Sequence, residues 1–577
     1  MRRAGRAGAT VPEGPRRQRG EAFQRALVGS IVALAIVALG ATMVVHARLD
    51  PDESQHLHVA WLIAEGRVPY ADFWEHHMPA LPWALSPLTR WFAERPSIYI
   101  AARAIMALTT AATLGVVYVL GARLGPAVGA IAVILLAVQV RFLQHGIQVR
   151  PDVPALLTWL VTVLMLVRWR ERARTGWLWA AGLALGFTAA LTPKAAFLGL
   201  GAVLVVLASP ADAAPILPRI LGRLACLAGG CAVPLAVLLA GLVVAGGGVA
   251  LQAFVQDVVV ANLRFPDFIK QTAVGAEGIG FGLLGLAGVA MTFRREGWRA
   301  LRHPLHGPLL IPAAVLAGIL LLPRTPAVYS YTWLPVLAIG SIYAGQALLA
   351  VVAWARSEGR ARSTVILVVV LAAGLIVPLV VVGVLTFPRN RQNEAQFLLM
   401  RRELAQACPG EAVLDGRALA VFRPTAFRYP SLVRGLRTWI EQGVISPESL
   451  VDDLQRARAP AGVFDSRLQI AGPVSAFIAR HYVRQPDGFL VAGAEITVPA
   501  GAGEADVDLL RGGIYELAVT PGLRVTIDGA VAAPPQIRLN EGRHRLAWSG
   551  PAGTVRLTVA PCALRRPAAM PRASPSH

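Results

Sequence analysis

Three short clusters in this sequence set carboxylates beside cations or imidazoles. They are Asp50, Asp52 and Glu53 followed by His76 and His77; Arg150-Pro151-Asp152; and Thr192-Pro193-Lys194. A carboxylate can take the proton of an acceptor hydroxyl, and cations can hold the charge that builds on a departing phosphate. Together they suit a reaction in which a hydroxyl attacks and a phosphate leaves. Arg264, Lys270, Arg324 and Tyr331 are further candidates for the same face. Each cluster also has a plain reading. Asp52, Glu53 and Asp152 stand where helices start, and acids cap helices. Lys194 could snorkel to an interface, and His56, His58 and His76 read as solvated. Asp50-Pro51-Asp52 has the look of a metal-binding Asp-x-Asp, but two carboxylates are too few for a divalent ion. A divalent metal stays open as an unsupported alternative, and no other cofactor is expected.

The elements that must position these residues are membrane spans. Of the 577 residues 55% are hydrophobic, and mean hydropathy is +0.55. Apolar runs long enough to cross a bilayer recur from residue 26 to 387. We read a polytopic α-helical membrane protein of about eleven spans: 26–47, 98–120, 125–141, 153–168, 177–191, 195–208, 224–247, 278–293, 308–323, 332–353 and 364–387. The first run is too long for a cleaved signal peptide and lacks a convincing A-x-A site. Residues 1–25, rich in Arg, Gly and Pro, are expected to be disordered, as are residues 563–577.

Charge orients the bundle. The N-terminal tail and alternate loops are arginine-rich, the latter at Arg168–Arg174, Arg219–Arg223, Arg294–Arg302 and Arg356–Arg362. The positive-inside rule puts these in the cytoplasm and the acidic clusters outside. The net charge of +21 thus reflects insertion and anionic lipid contact, not nucleic acid binding. Only two lysines occur, Lys194 and Lys270, and both fall on the outer side.

The first outer loop, 48–97, is too long to be a connector. Leu57, Trp61, Leu62 and Ile63 give one short helix an apolar face. Leu81, Trp83, Leu85, Leu88, Trp91 and Phe92 do so for a second. Both are expected to lie in the membrane interface. Residues 388–562 read as an extracytoplasmic soluble domain. Helices are expected over 392–407 and 447–458, and strands at 412–414 and 461–464. Further strands follow at 489–491, 495–498, 514–519, 523–527, 536–539, 543–548 and 554–559. This is α/β first and then a β unit. Cys408 and Cys562 share that side, where a disulfide is chemically allowed; Cys226 and Cys231 read as packing residues.

The stretch Asp52-Glu53-Ser54 … Leu62 … Gly66 … Pro69-Tyr70 … Phe73 … His77-Met78-Pro79 … Leu81 resembles the Asp-Glu loop of the GT-C glycosyltransferases. That superfamily contains the protein O-mannosyltransferases and lipid A aminoarabinose transferases (families 39 and 83). Arg150-Pro151-Asp152 resembles its second acidic position, and Tyr331-Thr332-Trp333-Leu334-Pro335 a late Tyr-x-x-Leu-Pro element. The resemblance covers roughly residues 26–350. It implies a polyprenyl-phosphate sugar as donor, Asp52 as base with Glu53 orienting, and Asp152 in the second-acidic role. Where aminoarabinose transferases carry a phosphate-binding Lys before Pro, this chain has His77; where they carry an Arg after Asp-Glu, it has Gln55. His77, Arg150, Lys194, Lys270 and Arg264 are the candidates for donor phosphate.

The expected function is therefore inverting transfer of a sugar, hexose or pentose, from a lipid-phosphate donor to an extracytoplasmic hydroxyl of a protein, lipid or polysaccharide. Membrane lipids are the other expected partner. The expected site is the cell membrane, with the N-terminus cytoplasmic. The rival class is a transporter or flippase of lipid-linked saccharides. That would place ionisable groups near the bilayer midplane and show repeats; here the charges sit at one interface and no repeat is visible. A polymerase of other fold and a non-catalytic scaffold are weaker alternatives.

Overall fold

The computed structural model describes residues 34, 36–209, 216–264, 270–271, 278–325, 328–357, 390–470 and 472–565. The expected last span, 364–387, lies outside them, as do residues 26–33 and 35 of the first. Four helices are long and apolar enough to cross a membrane: Ile98–Gly121, Asp152–Arg172, Leu217–Val260 and Ser330–Ala355. Two bent pairs make six if each is one span: Pro126–Ala137 with Val140–Gly146, bent by 73°, and Ile279–Arg302 with His306–Leu321, bent by 93°. Ile36–His46, Thr175–Leu191 and Ala195–Leu207 are shorter apolar helices. Every expected run in the described residues is helical. The count by length is lower because two regions bend, Thr175–Leu191 and Ala195–Leu207 are short, and the first and last expected runs lie partly or wholly outside the described residues.

The first bend has a cause in sequence. Gln139, buried at the break, accepts hydrogen bonds from Arg141 N (2.7 Å) and Phe142 N (3.4 Å) and so starts a new helix in a new direction. That turn carries the chain to Arg150. Asp152–Arg172 then runs 21 residues, about 31 Å at 1.5 Å per residue, close to the hydrocarbon thickness of about 30 Å. Asp152 and the arginines of its last turn therefore stand at opposite faces. At the arginine end Arg170 donates to Val205 O (3.2 Å), Ser209 Oγ (2.9 Å) and the Arg302 carbonyl, and Arg123 pairs with Glu171. Thr175–Leu191 packs closely on Ile216–Phe254. A Cβ at Gly182 would lie 2.1 Å from Leu227 O, so only glycine permits that approach. This contact sets the end from which Thr192-Pro193-Lys194 projects.

The C-terminal region carries helices and two sheets. Its strands are β1 Leu414–Asp415, β2 Ala461–Val463, β3 Tyr482–Arg484, β4 Phe489–Val498, β5 Gly501–Leu509, β6 Gly513–Val519, β7 Arg524–Ile527, β8 Ala530–Val531, β9 Gln536–Leu539, β10 Gly542–Gly550 and β11 Gly553–Val559. One sheet runs β1-β2-β4-β11-β6-β9, with β3 also on β4; the other runs β5-β10-β7-β8. The two short runs expected around 489–498 form one strand. Gly493, at φ +151°, lets it pass where a Cβ would meet Leu557 O at 1.9 Å. Strand β5 was not expected, because its glycines and acids obscure the alternation. Cys408 and Cys562 form a disulfide. Arg565 binds Glu411 and the Gln406 carbonyl, so the chain is held beyond the expected start of the tail.

The first outer loop differs most from expectation. Helix Pro51–Ala64 is not an interfacial helix: residues 53–60 are all buried, because the C-terminal domain covers it. His58 Nδ1 lies 2.9 Å from Val421 O, Tyr99 OH donates to Ser54 Oγ (2.8 Å), and Asn393 bridges Leu49 N and Ala47 O. Leu419, Val421 and Phe422 enter the same apolar cluster as Leu57 and Leu85. The second helix, Ala80–Phe92, buries Leu81 and Leu85 and leaves Trp91 outside.

At the centre of this junction Glu53 and Arg103 form an enclosed ion pair at 2.6 and 2.8 Å. Removing one member of such a pair strands the other charge in low dielectric. Arg103→Leu should lower stability by about 3–5 kcal/mol, read as a fall in melting temperature, and Glu53→Gln/Arg103→Leu should recover part of it. An Arg103→Leu protein that melts like wild type would refute this account of the junction.

Candidate active site

Asp50, the residue before Pro51, caps helix Pro51–Ala64: its side chain accepts from Asp52 N (2.9 Å), and Glu53 Oε2 accepts from Asp50 N (2.8 Å). The cap is thus Asp50 with Glu53, and it leaves the Asp52 side chain free to face outward. Asp52 Oδ2 lies 2.8 Å from Arg150 Nη1, and Asp52 Oδ1 lies 3.5 Å from Arg467 Nη2. Arg150 also reaches Asp50 (3.6 Å) and Asp152 (3.4 Å), while Lys194 Nζ reaches Asp152 Oδ1 at 3.3 Å. Tyr331 closes the group: the Arg150 guanidinium and the Lys194 ammonium lie 4.0 and 4.2 Å from its ring centre. Four segments at one end of the helix bundle, and one from the C-terminal domain, therefore converge.

Burial alone would push the Asp52 carboxyl up, but Arg150 and then Arg467 outweigh it and hold Asp52 well below the usual carboxylate range. Asp50 goes the other way, raised by burial and by the Asp52 charge. One carboxylate in the pair stays ionised while its neighbour resists ionisation.

Beside Asp52 sits a second cluster. Glu75 Oε1 accepts the backbone N–H of His76 (2.9 Å) and His77 (3.0 Å) and lies 2.7 Å from His77 Nδ1. Gln55 Nε2 donates to both Glu75 oxygens at 3.3 and 3.4 Å. The His56 and His77 rings meet edge-on, 4.7 Å apart. His56 and His58, expected to be solvated, are instead buried by this loop and the C-terminal domain, and His76 is partly covered, its side chain 23% exposed. Two groups among the described residues bring ligand atoms within 4.8 Å of one another, Glu75/His76/His77 and Glu296/His303/His306. The first is tied by the Glu75 hydrogen bonds above. In the second His303 Nδ1 accepts from Leu305 N (3.2 Å) and His306 N (3.4 Å). Glu75, His77, His303 and His306 thus already have hydrogen-bond partners.

The structure brings together Asp52, Asp152, Arg150, Lys194 and Tyr331, with His77 alongside. Glu53 stands beneath them, with Val149 N (3.2 Å) as a further partner. Lys270 is used elsewhere: it donates to Leu320 O (3.2 Å) and Leu322 O (2.5 Å) and so caps the end of helix His306–Leu321. The Arg264 side chain lies outside the described residues, and Arg324 is exposed. Arg467 and Glu75 were missed. Glu75 precedes two histidines next to a candidate and could have been found; Arg467 is one arginine among many and only the fold selects it.

These features define a multi-pass membrane protein with an acid–cation site at one end of its helices. Residues 76–238 match the family described as dolichyl-phosphate-mannose-protein mannosyltransferase. The structure is similar to that of ArnT from Cupriavidus metallidurans in the apo state, with TM-score 0.52 and 14% identity over 82% of this chain and 98% of that one. It is equally similar to the same protein bound to undecaprenyl phosphate, with TM-score 0.52, 15% identity and the same coverage. A lesser likeness is to the archaeal oligosaccharyltransferase AglB from Archaeoglobus fulgidus in complex with an inhibitory peptide and a dolichol-phosphate, with TM-score 0.45 and 13% identity over 82% and 74%. No curated protein matches the chain closely in sequence. The chain thus resembles membrane glycosyltransferases of the GT-C superfamily in fold, and its residues 76–238 match the mannosyltransferase family.

The histidine cluster has a consequence for pH. Burial is the main force holding His56 and His76 at about 3 and His77 at about 4, against an ordinary 6.5. The folded protein prefers these rings neutral, so their contribution is complete above pH 6.5 and is lost as pH falls toward 4. Stability should drop between pH 7 and pH 5 by on the order of 1 kcal/mol per imidazole, read as a fall in melting temperature, and His56→Gln should flatten that slope. An unchanged slope in the variant would count against the assignment.

Proposed function

We propose that this protein transfers a sugar from a polyprenyl-phosphate donor to an acceptor hydroxyl, with inversion, at the extracytoplasmic face of the cell membrane. The observation that carries the reading is the Asp52–Arg150 contact at 2.8 Å, with Lys194–Asp152 beside it. A carboxylate for the acceptor and cations for a phosphate stand together where helices end. ArnT, whose fold this chain shares, has been seen with undecaprenyl phosphate bound, which supports the choice of donor. The arginine-rich helix ends lie on the opposite face, which supports a cytoplasmic N-terminus.

In this reading the acceptor oxygen bonds to the anomeric carbon as the bond from that carbon to phosphate breaks, and the polyprenyl phosphate leaves. The hydroxyl proton passes to Asp52. Glycosyl transfer passes through an oxocarbenium-like state, so the hydroxyl is more acidic once attack is under way, and a weakly basic carboxylate suffices. Arg150 keeps Asp52 ionised and aimed, and shares charge with the departing phosphate together with Lys194. Glu53 orients Asp52 through the helix cap, and Asp152 holds Lys194. His77, steadied by Glu75, borders the donor phosphate.

Wild-type protein in lipid nanodiscs, given a radiolabelled polyprenyl-phosphate hexose or pentose and an envelope extract as acceptor, should release polyprenyl phosphate. Asp52→Asn should lower that turnover about a hundredfold or more while keeping its melting temperature. Equal turnover by both would remove Asp52 from the chemistry.

A further inference from the structure

The C-terminal domain does more than cover the first outer loop. The cations that the helical region itself brings to the cluster are Arg150 and Lys194, and they face three carboxylates, Asp50, Asp52 and Asp152. Two against three is a poor reception for an anion. Arg467, from the loop after β2, makes the count three against three, and the raised Asp50 tips it further toward positive.

That loop is built to present one side chain. Asp465 Oδ1 accepts from Arg467 N (2.7 Å) and Leu468 N (3.2 Å), and Asp465 Oδ2 pairs with Arg417 at 2.8 Å. Asp415 in turn accepts from Arg417 N (2.8 Å) and Ala420 N (3.2 Å), tying the loop to the segment whose Leu419 and Val421 are buried against the first outer helix. Gly416 lies so close that a Cβ there would be 3.0 Å from Arg467 Cβ. The guanidinium is then held at one end by Ser431 Oγ, which accepts from Nη1, while Nη2 reaches Asp52 at only 3.5 Å. A bidentate Arg–carboxylate pair is shorter than this. The arginine is steered firmly by its backbone and held loosely by its acidic partner.

We propose that Arg467 is a phosphate-binding residue supplied by the C-terminal domain, its guanidinium shared between Asp52 in the empty protein and the phosphate of a polyprenyl carrier when the lipid is bound. The inference rests on the lipid-phosphate reading above. It gives the C-terminal domain a share in the site, and it couples donor arrival to Asp52: a guanidinium drawn to phosphate is withdrawn from the carboxylate, which is thereby left freer to accept the hydroxyl proton.

The test is binding of undecaprenyl phosphate to the full chain in nanodiscs, with undecaprenol as the phosphate-free control. Arg467→Gln should weaken undecaprenyl phosphate binding about tenfold or more, the scale of one charge-assisted hydrogen bond, and Arg467→Lys should restore most of it. Undecaprenol should show no dependence on Arg467. Asp52→Asn, which frees the Arg467 guanidinium along with Arg150, should bind undecaprenyl phosphate several-fold more tightly, and Arg467→Gln in that background should remove part of the gain, which a mere interdomain tether does not predict. Equal affinity of wild type and a folded Arg467→Gln overturns the inference alone. Absence of phosphate-dependent binding by wild type overturns the lipid-phosphate reading beneath it. Should Arg467→Gln fail to fold, Ser431→Ala, which loosens the guanidinium, carries the same expectation in weaker form, and wild-type affinity there overturns it.

Discussion

One buried carboxylate holds the site together. Glu53 Oε1 accepts from Arg103 Nε and Val149 N, and Glu53 Oε2 accepts from Arg103 Nη2 and Asp50 N. Arg103 spends its remaining donors on the carbonyls of Val44, Ala47 and Arg48. Three stretches of chain distant in sequence therefore meet at two side chains: residues 44–53, from the exit of the first helix to the start of the loop helix; helix Ile98–Gly121, which carries Arg103; and the segment ahead of Asp152. An ionised pair inside protein is costly unless its hydrogen bonds are complete; here both oxygens are doubly used. That completeness is what makes the geometry around Asp52 specific. Asp52 and Arg150 are each next to an anchored neighbour, Glu53 and Val149, so their 2.8 Å contact follows from the pair beneath them.

The C-terminal domain is a consequence of the same constraint. A helix that carries Ser54, Gln55, His56 and His58 inward cannot be left against lipid, where unpaired polar groups are expensive. Leu419, Val421 and Phe422 cover its apolar side, the Val421 carbonyl meets His58 Nδ1, and Tyr99 donates to Ser54. Arg423 meets Glu94, and the Arg428 carbonyl accepts from Trp74 N, at the margins of the same contact. Once docked, the domain brings its 465–468 loop over Asp52. Covering the helix and contributing Arg467 to the acidic cluster are one structural event.

Much of this was legible in the sequence, and the boundary of legibility is physical. The helical runs, Asp52, Arg150, Asp152 and Lys194 could be read because hydrophobicity and charge at span ends are local properties. Strands such as β6 and β11 declared themselves by alternation. What could not be read depends on contacts across hundreds of residues. Leu57 and Trp61 gave the first loop helix an interfacial pattern, yet nothing in that stretch tells that residues 419–422 will bury it. Lys270 looked like a phosphate ligand because it is rare and on the outer side, but its ammonium lies over carbonyls at a helix end. Glu53 read as the partner of Asp52 in chemistry; its acidity is spent on Arg103, which sits inside an apolar run and drew no notice.

Position separates transfer from transport. Asp152 and Lys194 stand at the first turn of their helices and Arg150 just before one, while the arginines of the opposite face lie a bilayer away along Asp152–Arg172. A carrier needs its ionisable groups where both faces can reach them in turn, near the midplane. Along Asp152–Arg172 the interval between its ends is apolar apart from threonines that bond within the bundle, Thr158 to Thr188 among them. A charge cluster confined to one end can receive a lipid headgroup arriving in one leaflet and an acceptor arriving from the adjoining water, and it offers no second station for a substrate to reach. The arrangement is that of a site for a reaction at an interface, and the ion pairs that hold it, to Glu53 below and Arg467 above, resist the opening a carrier would require.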